Sequence, residues 1–166
     1  MNNSFNIRTA TAEDVPVFFN LIKGLAKYEK LSHEMTASEA LFAKYGFGEN
    51  TYYQALIAEN DDQKPVGFAL YFYTFSTFLG KPTLYLEDLF VVPESRGNGV
   101  GKALLQQLAQ IAQKRDCGRM EWAVLDWNQP AIDFYHSLDA KPLSEWITYR
   151  LTGETLKRLA EDSGTE

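Results

Sequence analysis

Cysteine is almost absent. Cys117 is the only one in 166 residues, so no intrachain disulfide can form, and a cytoplasmic address fits that usage. Cys117 follows a basic helix end and precedes Gly118 and an apolar strand. With no His or Asn nearby in sequence, it reads as a core or boundary residue rather than a nucleophile. Histidine is scarce too. His33 and His136 stand too far apart for a metal site, so no metal is expected. Positive charge is in deficit, with 16 Lys and Arg against 22 Asp and Glu, a net charge of −6. That balance disfavours nucleic acid and anionic membranes as partners and favours small cations. No apolar run approaches the ~20 residues that a membrane helix needs. The opening MNNSFNIR has neither the basic start nor the apolar stretch of a signal peptide. Repeats, low-complexity tracts and interdomain linkers are also missing, so one domain over residues 1–166 is expected.

What is present is the material of a packed core. Hydrophobic residues at 45% and charged residues at 23% match a globular chain. Phe5–Arg8 alternates as a strand. Thr11 is placed to cap a helix running to about Glu29, with Val15, Phe18, Ile22 and Leu25 on one face. A second helix is expected over Ala37–Lys44. Strands follow at Tyr52–Glu59, Val66–Phe75 and Thr83–Val92, where Pro93 stops the last. Val100, Leu104, Leu108 and Ile111 line one face of a long helix that ends at Gly118. Met120–Leu125 reads as a strand. Asn128 caps a short helix with Pro130 in its first turn. Lys141–Leu151 is expected to be strand-rich, and Gly153–Glu161 to be a weak terminal helix. Hairpins in the middle and crossover helices later imply an α/β fold, a mixed sheet with helices on both faces.

The most informative stretch is Arg96-Gly97-Asn98-Gly99-Val100-Gly101-Lys102, directly after a strand and opening a helix. Helix N-termini carry unpaired N–H groups and partial positive charge, and so bind phosphate. A nucleotide-triphosphate loop would need glycine at 96 and Ser or Thr at 103, where Arg96 and Ala103 stand. A dinucleotide fingerprint from Gly97 and Gly99 would need glycine at 102, where Lys102 stands. Two readings remain: Arg96, Gly99 and Gly101 resemble the pyrophosphate loop of the GNAT acetyltransferases, whose pattern is Arg/Gln-x-x-Gly-x-Gly/Ala, or the stretch is a glycine-rich turn with no ligand.

Neighbouring blocks add to the first. The strand Leu84-Tyr85-Leu86-Glu87-Asp88-Leu89-Phe90-Val91-Val92-Pro93 precedes the loop, and Trp127-Asn128-Gln129-Pro130-Ala131-Ile132-Asp133-Phe134-Tyr135 follows it. In order and spacing the three blocks resemble the GNAT N-acetyltransferases. Leu25–Glu29, Tyr45–Glu49, Tyr85–Asp88 and Trp127–Pro130 resemble the diamine (spermidine/spermine) and thialysine Nε-acetyltransferases. Phe75–Phe78 and Ala123–Gln129 lean toward the thialysine branch. The resemblance implies a sheet splayed between its fourth and fifth strands, with acetyl-CoA in the opening. Backbone groups of Leu89, Phe90 and Val91 would hold the acetyl and pantetheine arm, and Gly97–Lys102, with Arg96 adding charge, the pyrophosphate. Asn128, Pro130 and Ala131 would contact the cofactor, with Tyr135 near its sulfur. A homodimer is implied by the resemblance alone.

Acetyl transfer to an amine needs three things: a deprotonated amine, a polarised thioester carbonyl and a protonated leaving thiolate. An alkylamine has a pKa near ~10.4 and needs a proton acceptor at pH 7. Glu29, Glu87 and Asp88 are the candidates. Strand alternation puts Glu87 and Asp88 on opposite faces unless a bulge intervenes, and the resemblance places a bulge close by. Glu87 is favoured as substrate carboxylate and relay to the base. Glu29 is expected to recognise the amine beside Tyr28, an aromatic wall for a cation. Asp88 is weighed as a substrate contact against a structural hydrogen bond. Backbone N–H groups of the bulged strand can polarise the carbonyl. Tyr135, a phenol with pKa ~10, is the general acid, and Trp146 borders the substrate pocket. No Ser or Cys nucleophile arrangement is visible, so direct attack is expected.

Two departures bear on the substrate. Asp139 stands where the family has glycine after the tyrosine helix, and Asp tolerates left-handed backbone. Ser76 and Phe78 stand where diamine enzymes carry acidic and tryptophan residues, and Ser144-Glu145-Trp146 is shortened. Fewer acids favour a short diamine or a lysine-like amino acid over a long polyamine. Protein or peptide acetylation, and a non-catalytic acetyl-CoA sensor, are the competing functions; Tyr135 and Glu87 argue against the sensor, which needs neither.

Overall fold

The computed structural model describes residues 5–162; residues 1–4, in the opening stretch read above for a leader, lie outside it. The chain groups into two compact units, residues 1–125 and 126–166.

The first unit is built on a five-stranded sheet in sequence order: β1 (Phe5–Thr9), β2 (Gln54–Asn60), β3 (Pro65–Ser76), β4 (Lys81–Val91) and β5 (Arg119–Trp122). The first four strands pair antiparallel and β5 runs parallel to β4. Thr11 opens a capping box with Asp14 around a 3-10 turn, and α1 (Val15–Tyr28) follows with Pro16 in its first turn. Arg8 fastens this corner, donating to Asp14 Oδ2 at 2.7 Å and Glu59 Oε1 at 2.7 Å. The guanidinium holds the Asp14 carboxyl down at about 2. Ser38 caps α2 (Glu39–Phe47), accepting from the Leu41 N–H at 3.3 Å. Phe18, Phe42 and Tyr53 meet edge to face, and these rings pack in the core.

Strand alternation sorts the sheet into two apolar faces. Ala55, Ile57, Phe68, Leu70 and Phe90 pack with Val15, Phe18, Leu21 and Leu25 of α1. Leu56, Ala58, Ala69, Leu84 and Leu86 are equally buried and alternate with that set. Against the opposite face lies α3 (Val100–Lys114), burying Val100, Leu104, Leu105, Leu108 and Ala112. Helices therefore cover both faces, as the hairpin and crossover order predicts.

Parallel pairing of β4 with β5 spans only Thr83–Leu86 against Arg119–Trp122. From Glu87 to Val91, β4 pairs with β3 alone. The sheet thus opens between its fourth and fifth strands. β5 is shorter than the expected Met120–Leu125, because beyond Trp122 the backbone has left β4 and no ladder remains to define a strand.

The second unit holds α4 (Gln129–His136) and α5 (Gly153–Glu161). The strand-rich expectation for Lys141–Leu151 is not met: the segment has no assigned strand. Ile147, Tyr149 and Leu151 do alternate at strand spacing, but all three are exposed. Alternation supplies a propensity, whereas a strand exists only where another backbone completes its hydrogen bonds.

Candidate active site

Strand β4 carries one residue more than β3 can match. Leu70 pairs with Asp88 and Tyr71 with Leu86, so Glu87 is the extra residue of a β-bulge. The bulge resets the alternation. Leu86 belongs to the face opposite Tyr85, whose ring lies 5.2 Å from that of Phe72, and Glu87 returns to Tyr85's side. Asp88, paired with the α1-facing Leu70, falls on that side as well. Two carboxylates that regular alternation would separate therefore share one face.

Glu29, the C-cap of α1, joins them. Burial drives the Asp88 carboxyl up to about 7, and the charges of Glu87 and Glu29 push it further the same way. Burial likewise raises Glu29. Among the described residues, no hydrogen bond or ion pair engages Asp88, so the structural-hydrogen-bond reading of this residue has no partner to support it. Three carboxyls gathered with no salt bridge among the described residues create negative potential that a bound ammonium would neutralise. Sequence spacing understated Asp88, because its surroundings come from α1, nearly sixty positions away. Glu87, favoured from sequence, is the more exposed of the strand pair.

The loop after β4 has the geometry of an anion cradle. Gly97 and Gly99 sit at φ 77° and 83°, in the left-handed region, and Gly99 is the N-cap of α3. A Cβ on either would meet nothing within 4 Å, so both positions face open space. The first-turn N–H groups of α3, from Val100, Gly101 and Lys102, have no partner within the helix. Val100 is 3% exposed and anchors the helix start in the core. Together with the stretch Glu87–Val91, which has no strand paired on its β5 side, this suits a diphosphate with an extended polar arm. The backbone of Leu89 and Val91 lies along that stretch, whereas the Phe90 side chain is core, 7% exposed.

Arg96 takes a position that its place in the motif does not reveal. Its Nε donates to the Val91 carbonyl at 2.9 Å. Its guanidinium carbon lies 4.7 Å from the centre of the Tyr28 ring and 5.5 Å from that of Phe90. Tyr28, expected as a wall for a substrate cation, already carries a cation from the chain itself.

In the second unit, Asn128 Oδ1 accepts from the Ala131 N–H at 3.4 Å and caps α4, with Pro130 in the first turn. Tyr135 is half-buried, its ring 5.6 Å from that of Phe134. Asp139 adopts φ 61°, the left-handed turn expected where glycine is usual. Trp146 is 75% exposed.

Comparison with known proteins fits this geometry. The acetyltransferase (GNAT) family model matches residues 19–139, reaching into both units. A thialysine N-epsilon-acetyltransferase of Bos taurus is 40% identical, covering 93% of this chain and 96% of its own. A human spermidine/spermine N(1)-acetyltransferase-like protein 1 is 41% identical over 94% of this chain, which matches 24% of that longer protein. Among solved structures, an integron cassette protein from the mobile metagenome of V. cholerae superposes with a TM-score of 0.79 at 30% identity, covering 96% of this chain and 99% of that one.

Proposed function

The chain belongs to the GNAT family of acetyltransferases, and from that premise we propose that it acetylates a primary amine of a short diamine or a lysine-like amino acid, with Glu29, Glu87 and Asp88 holding the ammonium. It is an acetyl-CoA-dependent N-acetyltransferase. The observation that carries the substrate reading is the bulge at Glu87, which collects the three carboxyls on one face.

Acetyl-CoA supplies an acyl group on a thiolate leaving group. The cradle Gly97–Lys102 holds its diphosphate, with Arg96 at the cradle's entrance. Backbone of Leu89, Phe90 and Val91 orients the pantetheine arm and polarises the carbonyl. The amine's proton passes to the Glu87–Asp88 pair, directly or through water. A carboxyl titrating at about 7 is matched to that task, since it is neither too weak a base nor permanently protonated at neutral pH. The nitrogen then attacks the carbonyl directly, and the carbon–sulfur bond breaks. Tyr135 returns a proton to the sulfur, a role carried by the Trp127–Tyr135 motif. Asn128, Pro130 and Ala131 contact the cofactor and Trp146 borders the amine pocket on the same motif-level grounds. A single domain over residues 1–166, a homodimer and cytoplasmic residence complete the proposal; light scattering on the purified protein tests the dimer.

Thiol release from acetyl-CoA, measured with putrescine, spermidine, thialysine, ornithine and peptides, tests the reading. Steady turnover with a short diamine or an amino-acid amine supports it. Acetyl-CoA binding without turnover across the panel would overturn it in favour of a sensor, and turnover only with peptides would move the substrate to proteins.

A further inference from the structure

The geometry points to Tyr28 as a positioning residue for the diphosphate cradle, acting through the guanidinium of Arg96 rather than through the substrate. The inference rests on the acetyl-CoA reading above and concerns how the cradle is held in shape. A Cβ at Gly97 or Gly99 would meet nothing within 4 Å, so no side chain packs over either position. Two fastenings flank this stretch. At the far end, Val100 is buried. At the near end stands Arg96, whose side chain is exposed to solvent yet tied down by three contacts: the Val91 carbonyl, the Tyr28 ring and the Phe90 ring.

Helix α1 provides the base for this clasp. The Phe90 ring lies so close to Gly24 that a Cβ there would come within 3.0 Å of it. Gly24 and Tyr28 are one helical turn apart and so share a face of α1. Phe90 seats against the helix at Gly24, Tyr28 flanks it, and the flat guanidinium lies over both rings. A flat guanidinium stacks on the rings while its Nε–H donates to the carbonyl; a lysine ammonium has no planar face to stack and cannot make all three contacts in this geometry. The clasp sets the direction in which the chain enters Gly97. A loop ordered before binding spares the cofactor the entropy of ordering it. Because Tyr28 adjoins Glu29, the amine-binding end of α1 and the cradle share one fastening.

Calorimetric titration with coenzyme A tests this, using wild type, Tyr28→Leu, Tyr28→Phe, Arg96→Ala, Arg96→Lys and the Tyr28→Leu/Arg96→Ala double variant. Tyr28→Leu should weaken coenzyme A about five-fold, the scale of one exposed cation–π contact, although Tyr28 is not placed against the phosphates. Tyr28→Phe keeps the ring and should bind as wild type. Arg96→Lys should lose nearly as much as Arg96→Ala. The double variant should be no weaker than Arg96→Ala alone, since both substitutions undo one clasp. Unchanged affinity in Tyr28→Leu, or losses that multiply in the double variant, overturns the inference and leaves the acetyl-CoA reading standing. Should Tyr28→Leu not fold, Arg96→Lys decides: full affinity there makes Arg96 a simple phosphate charge and removes the clasp. Absence of coenzyme A binding by the wild type overturns both readings together.

Discussion

Replacing Asp88 by asparagine separates stability from catalysis at one position. The folded protein holds this carboxyl at about 7, against 3.8 for the exposed group, through burial and then the charges of Glu87 and Glu29. The unfolded chain therefore releases the proton at lower pH than the folded one. As pH rises from about 4 to 7, the folded form retains a proton that the unfolded form has lost, so stability falls across that window and levels off above it. At ~1.4 kcal/mol per tenfold change, full expression of this difference is about 4 kcal/mol. Asp88 keeps a solvent-facing edge, which screens its charge, and about half that figure is the expected value. Asparagine preserves the shape and removes the charge. Urea unfolding of Asp88→Asn and wild type should give equal stabilities near pH 4. At pH 8.5 the variant should be more stable by about 2 kcal/mol, while acetyl transfer falls by at least about tenfold through loss of a proton acceptor. A stability difference that stayed constant between pH 4 and 8.5 would refute the electrostatic account of the carboxyl face. Unchanged turnover would remove Asp88 from proton transfer.

Three further outcomes follow from the same structure. Tyr135→Phe should lower turnover by about 10²-fold or more with coenzyme A affinity little changed; titration calorimetry beside steady-state rates checks it, and unaltered turnover removes the phenol as acid. Glu29→Gln should raise the amine KM by roughly tenfold while leaving the acetyl-CoA KM alone, because it removes one of three charges facing the ammonium; equal amine KM values would return Glu29 to a passive role. Gly99→Ala forces a side chain into φ 83°, costing about 1–2 kcal/mol; thermal unfolding should fall by roughly 3–6 °C, and an unshifted Tm would mean that the loop relaxes without strain.

The sequence by itself determined the elements whose cause is local. Thr11 with Asp14 and Asn128 with Pro130 mark helix starts, because a cap acts on N–H groups within three residues; the second helix starts at Glu39 behind the Ser38 cap, later than the expected Ala37. Gly97 and Gly99 announce a cradle, because only backbone without a Cβ takes positive φ freely. The hairpin order of β2, β3 and β4 with crossover helices after them announces a mixed sheet covered on both faces, and Asp139 tolerates the left-handed turn that it adopts. Whether Lys141–Leu151 becomes a strand is not local, since that depends on a backbone partner which residue pattern does not name.

The tertiary structure alone decided which carboxyl is perturbed and what Arg96 touches. A bulge is a mismatch between two strands, so Glu87 as the extra residue is visible only once β3 and β4 are paired. Asp88's raised titration needs burial and a charge brought from Glu29 on another element. Arg96 meets Tyr28 across 68 sequence positions only because Phe90 seats against Gly24. Local chemistry fixes what a residue is able to do; the packing of distant segments fixes its neighbours, and with them its charge state and its task.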